Sequence, residues 1–371
     1  MTISGVGPDG KTPGAELSRP KQSALAARSP EPTALAHGPT RGATPHDGAP
    51  PQARSPPTAR HGQYRRNVNT PPPTGVQHHL VHGDQRATVT EVGASLREYA
   101  VGDRDVIVPF DVGGLPPASH GAVLIPWPNR LRDGQYDWDG TAYQVPVTEP
   151  ARWTALHGLA AWERWAPVPG VAARPDSITL GLDLVPIKGY PFQLRSTLTY
   201  TLSVAGLHVH LATTNIGDRV APYGTGFHPW LSPGGAAVDE CTLRLDAATR
   251  VTTDERLLPT GTEPAGDLDF RTPRSLAGVA LDDGYVDVTR DDDGLSWIQL
   301  AAPDGRTAAI WMDDSMDTWQ VCTGDGIPGV NRNGVAAEPM TCIADAFRTG
   351  DRLVRLEPGQ THEVVWGATL L

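Results

Sequence analysis

Apolar and polar residues alternate along short stretches of the chain from residue 74 to the C-terminus, and turns rich in Gly, Pro, Asn and Asp separate these stretches. The longest extends from Leu194 to Leu202, where Leu and Tyr on one side alternate with Arg and Thr on the other. Side chains of a β-strand point in turn to opposite faces, so this pattern predicts a strand with one buried and one solvated face. The chain turns at Ala205-Gly206, and a second alternating stretch follows over residues 207–211.

Two further hairpins are predicted from turn sequences. Asp139-Gly140 separates alternating residues at 136–138 and 143–147, and Pro303-Asp304-Gly305 separates residues 298–300 from 308–312. An Asp-Gly pair between two such stretches is a strong hairpin signal. No segment of 12 residues keeps the apolar stripe of an amphipathic helix, so helices should be few and short. The pattern predicts an all-β fold, a large antiparallel two-sheet β-sandwich, with a barrel as the alternative.

The first 73 residues lack this alternation. They hold 14 of the chain's 36 prolines and one aromatic residue, Tyr64. Such a segment cannot bury enough apolar surface to offset the entropy of ordering its backbone, so we expect a disordered arm at 1–73 and a folded domain at 74–371. Charge changes at the same boundary, with 9 basic and 4 acidic residues before position 74 against 22 and 38 after it. An acidic folded domain argues against nucleic acid or an anionic membrane as its partner.

Composition also bears on the compartment and on metal binding. The first 30 residues contain no apolar core of a secretory signal, and no stretch approaches the roughly 20 apolar residues that span a bilayer. Cys241, Cys322 and Cys342 are widely spaced, which predicts neither a disulfide framework nor a zinc site and is typical of a cytoplasmic protein. His208 and His210 share one face of a predicted strand without a third ligand nearby, so we interpret them as exposed histidines.

Two segments place polar residues among stiff or permissive neighbours at predicted strand ends, where a rigid sheet can position them. In Pro126-Trp127-Pro128-Asn129-Arg130, the arginine either binds sugar hydroxyls or ties down its own loop. In Leu156-His157-Gly158, the histidine is either a site residue beside a glycine that allows close approach, or a satisfied core histidine.

Three further segments carry ionisable candidates. His228, in Gly226-Phe227-His228-Pro229-Trp230, titrates near neutral pH, and the aromatic rings beside it suit the C–H face of a sugar. Glu338 follows apolar residues, so we expect burial to raise its pKa and make it a competent base, unless an arginine pairs with it. Asp282 lies in Leu281-Asp282-Asp283-Gly284, which on local sequence alone predicts a turn.

In this order and wording, the segments resemble the aldose 1-epimerase (galactose mutarotase) family from Gly75 to Gly367. The matching stretches are Glu91-Val92-Gly93-Ala94-Ser95-Leu96, Pro126-Trp127-Pro128-Asn129-Arg130, Leu156-His157-Gly158, Phe227-His228-Pro229, Leu281-Asp282-Asp283 and Glu338-Pro339. The family's large antiparallel β-sandwich agrees with the strand pattern. The resemblance implies an isomerase that interconverts the α and β anomers of a hexose such as glucose or galactose. A small-molecule sugar is then the partner, and no metal, nucleotide or flavin is needed.

The resemblance also implies roles for individual residues. Glu338 is the implied general base and His228 the implied general acid, on opposite sides of the hemiacetal carbon, where one takes the proton of the anomeric hydroxyl and the other protonates the ring oxygen. The residues implied to hold the sugar's hydroxyls are Asn129, Arg130, His157 and Asp282. For Asp282, the resemblance thus replaces the plain turn with a binding role.

The chain departs from the galactose mutarotases in two places. His228 is followed by Pro-Trp, where those enzymes carry an aromatic residue directly after the histidine, and Glu338 is followed by Pro-Met-Thr, which indicates a divergent subgroup. One alternative function is a hexose-6-phosphate 1-epimerase, for which Arg130, Arg132 and Arg332 are candidate phosphate ligands. The other is a non-catalytic carbohydrate-binding module on the same fold.

Overall fold

The computed structural model describes residues 71–172 and 174–371. The predicted disordered arm, residues 1–73, lies outside the described residues except for its last three prolines. Within the described part the chain forms 27 strands: β1 (Gln77–His82), β2 (Gln85–Thr90), β3 (Leu96–Val101), β4 (Arg104–Ile107), β5 (Val123–Leu124), β6 (Arg130–Arg132), β7 (Gln135–Trp138), β8 (Thr141–Gln144), β9 (Thr154–Leu156), β10 (Ala166–Pro167), β11 (Ser177–Leu184), β12 (Leu194–Ser203), β13 (Gly206–Asn215), β14 (Ala221–Tyr223), β15 (Gly226–Phe227), β16 (Trp230–Leu231), β17 (Thr242–Leu245), β18 (Ala247–Thr253), β19 (Pro259–Pro264), β20 (Arg274–Ser275), β21 (Asp282–Val288), β22 (Ser296–Ala301), β23 (Thr307–Met312), β24 (Thr318–Cys322), β25 (Val335–Met340), β26 (Val354–Leu356) and β27 (Thr361–Leu370).

Most of these strands belong to two antiparallel sheets. The larger sheet has 12 strands, ten of them in the order β1-β2-β3-β4-β16-β25-β24-β21-β18-β19; β15 pairs with β25, and β5 pairs with β15. The smaller has nine strands in the order β10-β11-β12-β13-β27-β23-β22-β17-β20. Separate two-stranded ladders pair β6 with β9, β7 with β8 and β14 with β26. The two large sheets confirm the predicted antiparallel sandwich.

The core lies between the two sheets, as one continuous cluster of buried apolar side chains. Leu96 and Tyr99 enter it from the 12-stranded sheet, and Leu198 and Leu211 enter it from the nine-stranded sheet, each at most 1% exposed. Burying a leucine side chain of this kind stabilises a fold by about 1.5–3 kcal/mol. Tyr200 Oη also donates a hydrogen bond to the carbonyl oxygen of Ala94 at 2.8 Å. Its buried hydroxyl is therefore satisfied where the two sheets meet.

The predicted hairpins are present as β7–β8, β12–β13 and β22–β23. On the solvated face of the nine-stranded sheet, the hydroxyls of Thr179 and Thr199 lie 2.9 Å apart across β11 and β12. On β13, His208 and His210 lie on this same solvated face, where His210 Nε2 is 2.8 Å from Glu363 Oε2. Strand alternation therefore produces the one-sided burial that the sequence predicts.

Helices are few, as predicted. The described residues contain one α-helix, α1 (Ala346–Thr349), which ends at Gly350 in the left-handed conformation that suits a helix C-terminus. Single 3-10 turns occur at Pro117–Ser119, Ala160–Trp162, Val238–Glu240 and Gly266–Leu268. None of the helices in the described ranges has the length and apolar character required to cross a membrane.

Candidate active site

Two strand pairings of the 12-stranded sheet bring His228 and Glu338 together. β15 pairs with β25 at Gly226, and β16 pairs with the same strand at Trp230, in one continuous register. His228 lies midway between these two pairs and is therefore directly opposite Glu338, on the same face of the sheet. Its Nε2 is 3.3 Å from Glu338 Oε1. The partner of Glu338 is thus a histidine, and not the arginine that the alternative interpretation required.

The neighbouring strands add more side chains to this face. Gln320 on β24 lies opposite Glu338, and its Nε2 donates a hydrogen bond to Asp282 Oδ1 at 2.8 Å. Asp282 begins β21 instead of lying in a turn, and it pairs in the ladder with Cys322. Side chains two positions apart on a strand share a face, so β16, β21, β24 and β25 together present one surface. We name this surface the sheet floor, which consists of His228, Trp230, Asp282, Gln320, Cys322 and Glu338.

Asn129 and His157 stand above the sheet floor, just outside the β6–β9 ladder. His157 N donates to the Asn129 carbonyl at 2.9 Å, and Asn129 N donates to His157 Nδ1 at 3.1 Å. Both residues have left-handed backbone angles, with φ of 54° and 62°. This conformation costs an L-residue roughly 1–2 kcal/mol. Gly158 follows at φ 71°, and a Cβ there would lie 2.2 Å from the Ile125 carbonyl oxygen, so close packing requires the glycine.

Glu149 holds two arginines beside this pair. Arg130 donates to its carboxylate through Nε at 2.9 Å and Nη2 at 3.2 Å, and Arg152 donates through Nη1 at 2.9 Å. Thr154 Oγ1 donates a fourth hydrogen bond at 2.6 Å. Burial alone would raise the pKa of Glu149, but the bonds from Arg130 and Thr154 hold that pKa below its ordinary value. We name the group formed by Asn129, Arg130, Glu149, Arg152 and His157 the loop wall.

The sheet floor and the loop wall enclose one cavity of about 260 Å³. This volume is close to the lower limit of about 300 Å³ that is usual for small-molecule sites. The structure brings all six predicted site residues to this cavity: Asn129, Arg130, His157, His228, Asp282 and Glu338. Residues far apart in the sequence therefore meet around a single space that can accept one small molecule.

Burial dominates the charge state of the sheet floor. It raises the pKa of Glu338 well above the ordinary value, and the nearby carboxyl of Asp282 raises it further. Burial lowers the pKa of His228 to about 3, and His120 adds to this shift. The pKa of Asp282 is also raised by burial, against the opposing effect of Arg130. At neutral pH these shifts favour an uncharged Glu338 carboxyl beside an uncharged His228 imidazole.

One group of possible metal ligands occurs among the described residues, and it lies in this cavity. One ligand atom each from His157, His228 and Glu338 lies within 4.8 Å of the other two. The two imidazole rings meet edge to face with centroids 5.2 Å apart. Burial, and then the neighbouring His228, lowers the pKa of His157 well below its ordinary value. A neutral imidazole binds a metal only through a ring nitrogen that carries a lone pair, so the tautomer decides whether this group can do so.

Some of the other residues that the sequence singled out lie outside this cavity. Phe227 packs in the core against Trp366, with ring centroids 5.2 Å apart, and Trp230 is the aromatic residue of its segment that lines the cavity. The candidate phosphate ligands Arg132 and Arg332 are each paired with two carboxylates, and neither lines the cavity. Arg130 does line it, but its charge is shared with Glu149.

Sequence reasoning missed several residues of the site. Gln320 stands between the apolar residues Trp319 and Val321 on β24, and a polar residue within an apolar strand is a signal that could have found it. Glu149 and Arg152 lie in a turn without periodicity, and no local signal distinguishes them from other surface charges.

Solved structures with a similar fold define the structural class of this protein. A GalM/aldose epimerase homologue from Caenorhabditis elegans has a TM-score of 0.70 at 19% identity, and the similarity covers 80% of this chain and 99% of that chain. A galactose mutarotase-like protein from Clostridium acetobutylicum has a TM-score of 0.70 at 16% identity, over 79% and 94%. Galactose 1-epimerase from Lactobacillus acidophilus has a TM-score of 0.66 at 15% identity, over 80% and 94%. The fold is therefore a galactose mutarotase-like β-sandwich.

Sequence similarity then identifies the family. The model of the family described as "Aldose 1-epimerase" matches residues 77–367 of this chain. The Escherichia coli K12 protein YihR is 36% identical over 289 residues, which is 77% of this chain and 90% of YihR. The chain belongs to the aldose 1-epimerase family, as the sequence motifs predict.

Proposed function

We propose that this protein interconverts the α and β anomers of an aldose by general acid–base catalysis. The 3.3 Å contact between His228 Nε2 and Glu338 Oε1, at the floor of a cavity for one small molecule, carries the proposal. The ring oxygen and the anomeric hydroxyl of a cyclic aldose are bonded to the same carbon, so the two proton transfers of ring opening occur side by side. An adjacent acid and base suits this reaction. The family resemblance implies that the two groups act on opposite sides of that carbon, which stays a prediction.

Ring opening uses Glu338 as a carboxylate and His228 as an imidazolium. Glu338 accepts the proton of the anomeric hydroxyl, the electrons of that O–H bond form the carbonyl, and the C1–O5 bond breaks as His228 Nε2 donates its proton to O5. Rotation about the C1–C2 bond presents the other face of the carbonyl. O5 then attacks C1, His228 recovers its proton from O5, and Glu338 returns its own to the anomeric oxygen. Both residues end as they began.

The short contact explains how a buried, uncharged pair reaches this reactive state. Transfer of one proton from Glu338 to His228 Nε2 converts two neutral groups into a carboxylate and an imidazolium, with no change in the number of bound protons. The pair therefore titrates as a unit, and its charged form is available wherever the pair holds one proton. A sugar that enters the cavity brings hydroxyl groups that can hydrogen-bond both charges, which favours the charged form.

We propose that the remaining predicted residues hold the sugar's hydroxyls. Arg130 presents several donors, and Asp282, oriented by Gln320, presents a carboxylate oxygen. Asn129 Oδ1 already accepts a hydrogen bond from Arg130 N at 2.8 Å, so its Nδ2 is the side-chain atom left for the sugar. His157 completes this set above the catalytic pair.

Freshly dissolved aldoses, followed by polarimetry or NMR, test the proposal. We expect the protein to accelerate equilibration of at least one sugar in a panel that includes glucose and galactose. Glu338→Gln keeps the shape of the side chain but cannot accept the proton, so it should lose about 10²- to 10⁴-fold of this acceleration. Circular dichroism confirms that the variant is folded. If folded Glu338→Gln equilibrates sugars as fast as the unaltered protein, the assignment of the base is wrong.

The same measurements separate the alternative functions. Faster equilibration of glucose 6-phosphate than of glucose would indicate a hexose-6-phosphate 1-epimerase. Sugar binding by calorimetry without any acceleration would indicate a non-catalytic carbohydrate-binding module. The pairing of Arg130, Arg132 and Arg332 with carboxylates leaves the phosphate alternative without a free cation from its candidate set.

We also propose a cytoplasmic location. All three cysteines are free and buried, which suits a compartment that keeps thiols reduced. Cell fractionation tests this location, and recovery of the protein outside the cytoplasmic fraction would contradict it.

A further inference from the structure

The ring of His157 faces a hydrogen-bond donor that cannot change its role. The backbone N–H of Asn129 lies 3.1 Å from His157 Nδ1. A backbone amide nitrogen can only donate, so Nδ1 must present its lone pair. A neutral imidazole carries one ring hydrogen, and that hydrogen is therefore on Nε2.

The charged form of the ring is also disfavoured. An imidazolium carries a hydrogen on Nδ1, which would face the amide hydrogen of Asn129 and break the bond. His157 is buried, and the groups nearest its ring include His228 and the positive charge of Arg130. Burial and these neighbours act in the same direction as the hydrogen bond. The ring is therefore neutral as well as fixed in its tautomer.

The backbone around His157 prevents the ring from turning to present its other nitrogen. The His157 N–H is bonded to the Asn129 carbonyl at 2.9 Å, which closes a two-way link between the residues. Both are held in the left-handed region: Asn129 directly precedes β6, and His157 lies between β9 and the tightly packed Gly158. Rotation of the ring would leave Nδ1 and the Asn129 N–H buried without partners, at a cost of about 1–3 kcal/mol for each group.

We infer that Asn129 is a positioning residue that holds His157 as a permanent hydrogen-bond donor, with Nε2–H aimed at an acceptor oxygen of the ligand. This rests on the proposed function only for the identity of the ligand: a sugar oxygen that adjoins the reacting carbon, since His157 lies beside His228 and Glu338. His157 then serves neither as a base nor as a third metal ligand, because both roles need a lone pair on Nε2. The site therefore binds a hydrogen-bond acceptor atom of the ligand beside His157 Nε2.

The tautomer can be measured without any assay of activity. Protein labelled with ¹⁵N-histidine gives two-bond correlations whose pattern distinguishes Nε2–H, Nδ1–H and doubly protonated rings. Loss of one ring's signals in His157→Gln, or in His157→Asn, assigns the spectrum. We expect the Nε2–H pattern for His157 in the unliganded protein at neutral pH. An Nδ1–H pattern or a doubly protonated ring would overturn the inference, whatever the protein's activity.

Two amide variants then test the role in the site. The side-chain nitrogen of glutamine reaches the position of histidine Nε2, whereas that of asparagine reaches only the position of Nδ1. Asparagine is the better residue for the left-handed backbone at position 157, so His157→Asn should be at least as stable as His157→Gln. Activity should follow the opposite order, with kcat/KM of His157→Gln exceeding that of His157→Asn by about 10- to 100-fold, the value of one well-placed donor.

Equal activity of the two variants, or a higher activity of His157→Asn, would overturn the donor role. A purely structural role for His157 predicts that activity follows stability, which is the reverse of our expectation. If the unaltered protein accelerates no sugar, the proposed function fails while the NMR pattern still decides the tautomer. The two failures are therefore distinguishable.

Discussion

The sheet floor and the loop wall line the same cavity but are held in opposite ways. The floor is positioned by backbone ladders, and its two catalytic side chains are only partly satisfied: His228 Nδ1 and Glu338 Oε2 are buried without a hydrogen-bond partner among the described residues. The wall lies at the end of the two-stranded β6–β9 ladder and depends largely on side chains, since the Glu149 carboxylate accepts four hydrogen bonds from three residues. The catalytic pair is thus held by the backbone of the sheet, and the two arginines of the wall are held by a shared carboxylate.

This difference has a physical reason. A buried polar atom without a partner destabilises the fold by about 1–3 kcal/mol, and it also leaves the atom free to exchange a proton. A rigid ladder of strand hydrogen bonds can carry this penalty, because it orients His228 and Glu338 without contacting their side-chain nitrogen and oxygen atoms. The wall has only the two-stranded β6–β9 ladder beside it, so a network of charged groups keeps its arginines in place. Substitutions in the sheet floor and in the loop wall should therefore have different effects on stability and on kinetics.

The largest expected effect is on stability at acid pH. If this effect were absent, the contrast between the sheet floor and the loop wall would not hold. The folded-state pKa of His228 is about 3, against an ordinary value of 6.5, so the unfolded state binds a proton that the folded state does not bind between these values. The stability contributed by neutral His228 is complete above pH 6.5 and is lost as the pH falls towards 3. His228→Asn should therefore lose less stability than the unaltered protein between pH 6.5 and pH 4, by on the order of 3 kcal/mol.

Urea unfolding of both proteins at several pH values measures this effect. The variant removes the titrating group but keeps a polar side chain at that position, so the difference between the two curves isolates His228. Parallel curves from pH 6.5 to pH 4 would mean that His228 titrates normally in the folded protein, and the description of the sheet floor as a desolvated surface would then be wrong.

A smaller effect is expected when the network of the wall is weakened. Glu149→Gln removes the charge that holds Arg130 and Arg152, so we expect KM to rise and kcat/KM to fall about 10- to 100-fold, equivalent to about 1.4–2.7 kcal/mol. Asp183→Asn is a matched control, because Asp183 also binds an arginine through two hydrogen bonds, but on the exposed face of β11. The control should leave kinetics unchanged and stability within about 1 kcal/mol. A loss confined to kcat in Glu149→Gln would place the carboxylate in the chemistry instead of in the support of the wall.

Sequence patterns and motifs identified three residues of the floor and three of the wall, but not the contacts that hold them. Alternation and turn signals predict individual strands, and local context marked His228 and Glu338, but their cross-strand register joins distant parts of the chain and no local pattern specifies it. The expectation that Phe227 lies near the sugar neglected alternation, since neighbours on an extended chain point to opposite faces. In the wall, Glu149 gains its role from partners that only the folded structure brings near it.

The smallest effect concerns the backbone of the wall at Asn129, where φ is 54°. Asn129→Gly and Asn129→Ala both remove the side-chain acceptor of Arg130 N, but only glycine adopts the left-handed region without strain. The alanine variant should therefore be less stable than the glycine variant by about 1 kcal/mol. Thermal unfolding of the two proteins measures the difference, and the ¹⁵N pattern of His157 reports whether the amide still donates to Nδ1. If alanine is equally stable and the pattern is kept, the wall is held by its charged network alone, and the strained backbone adds nothing to it.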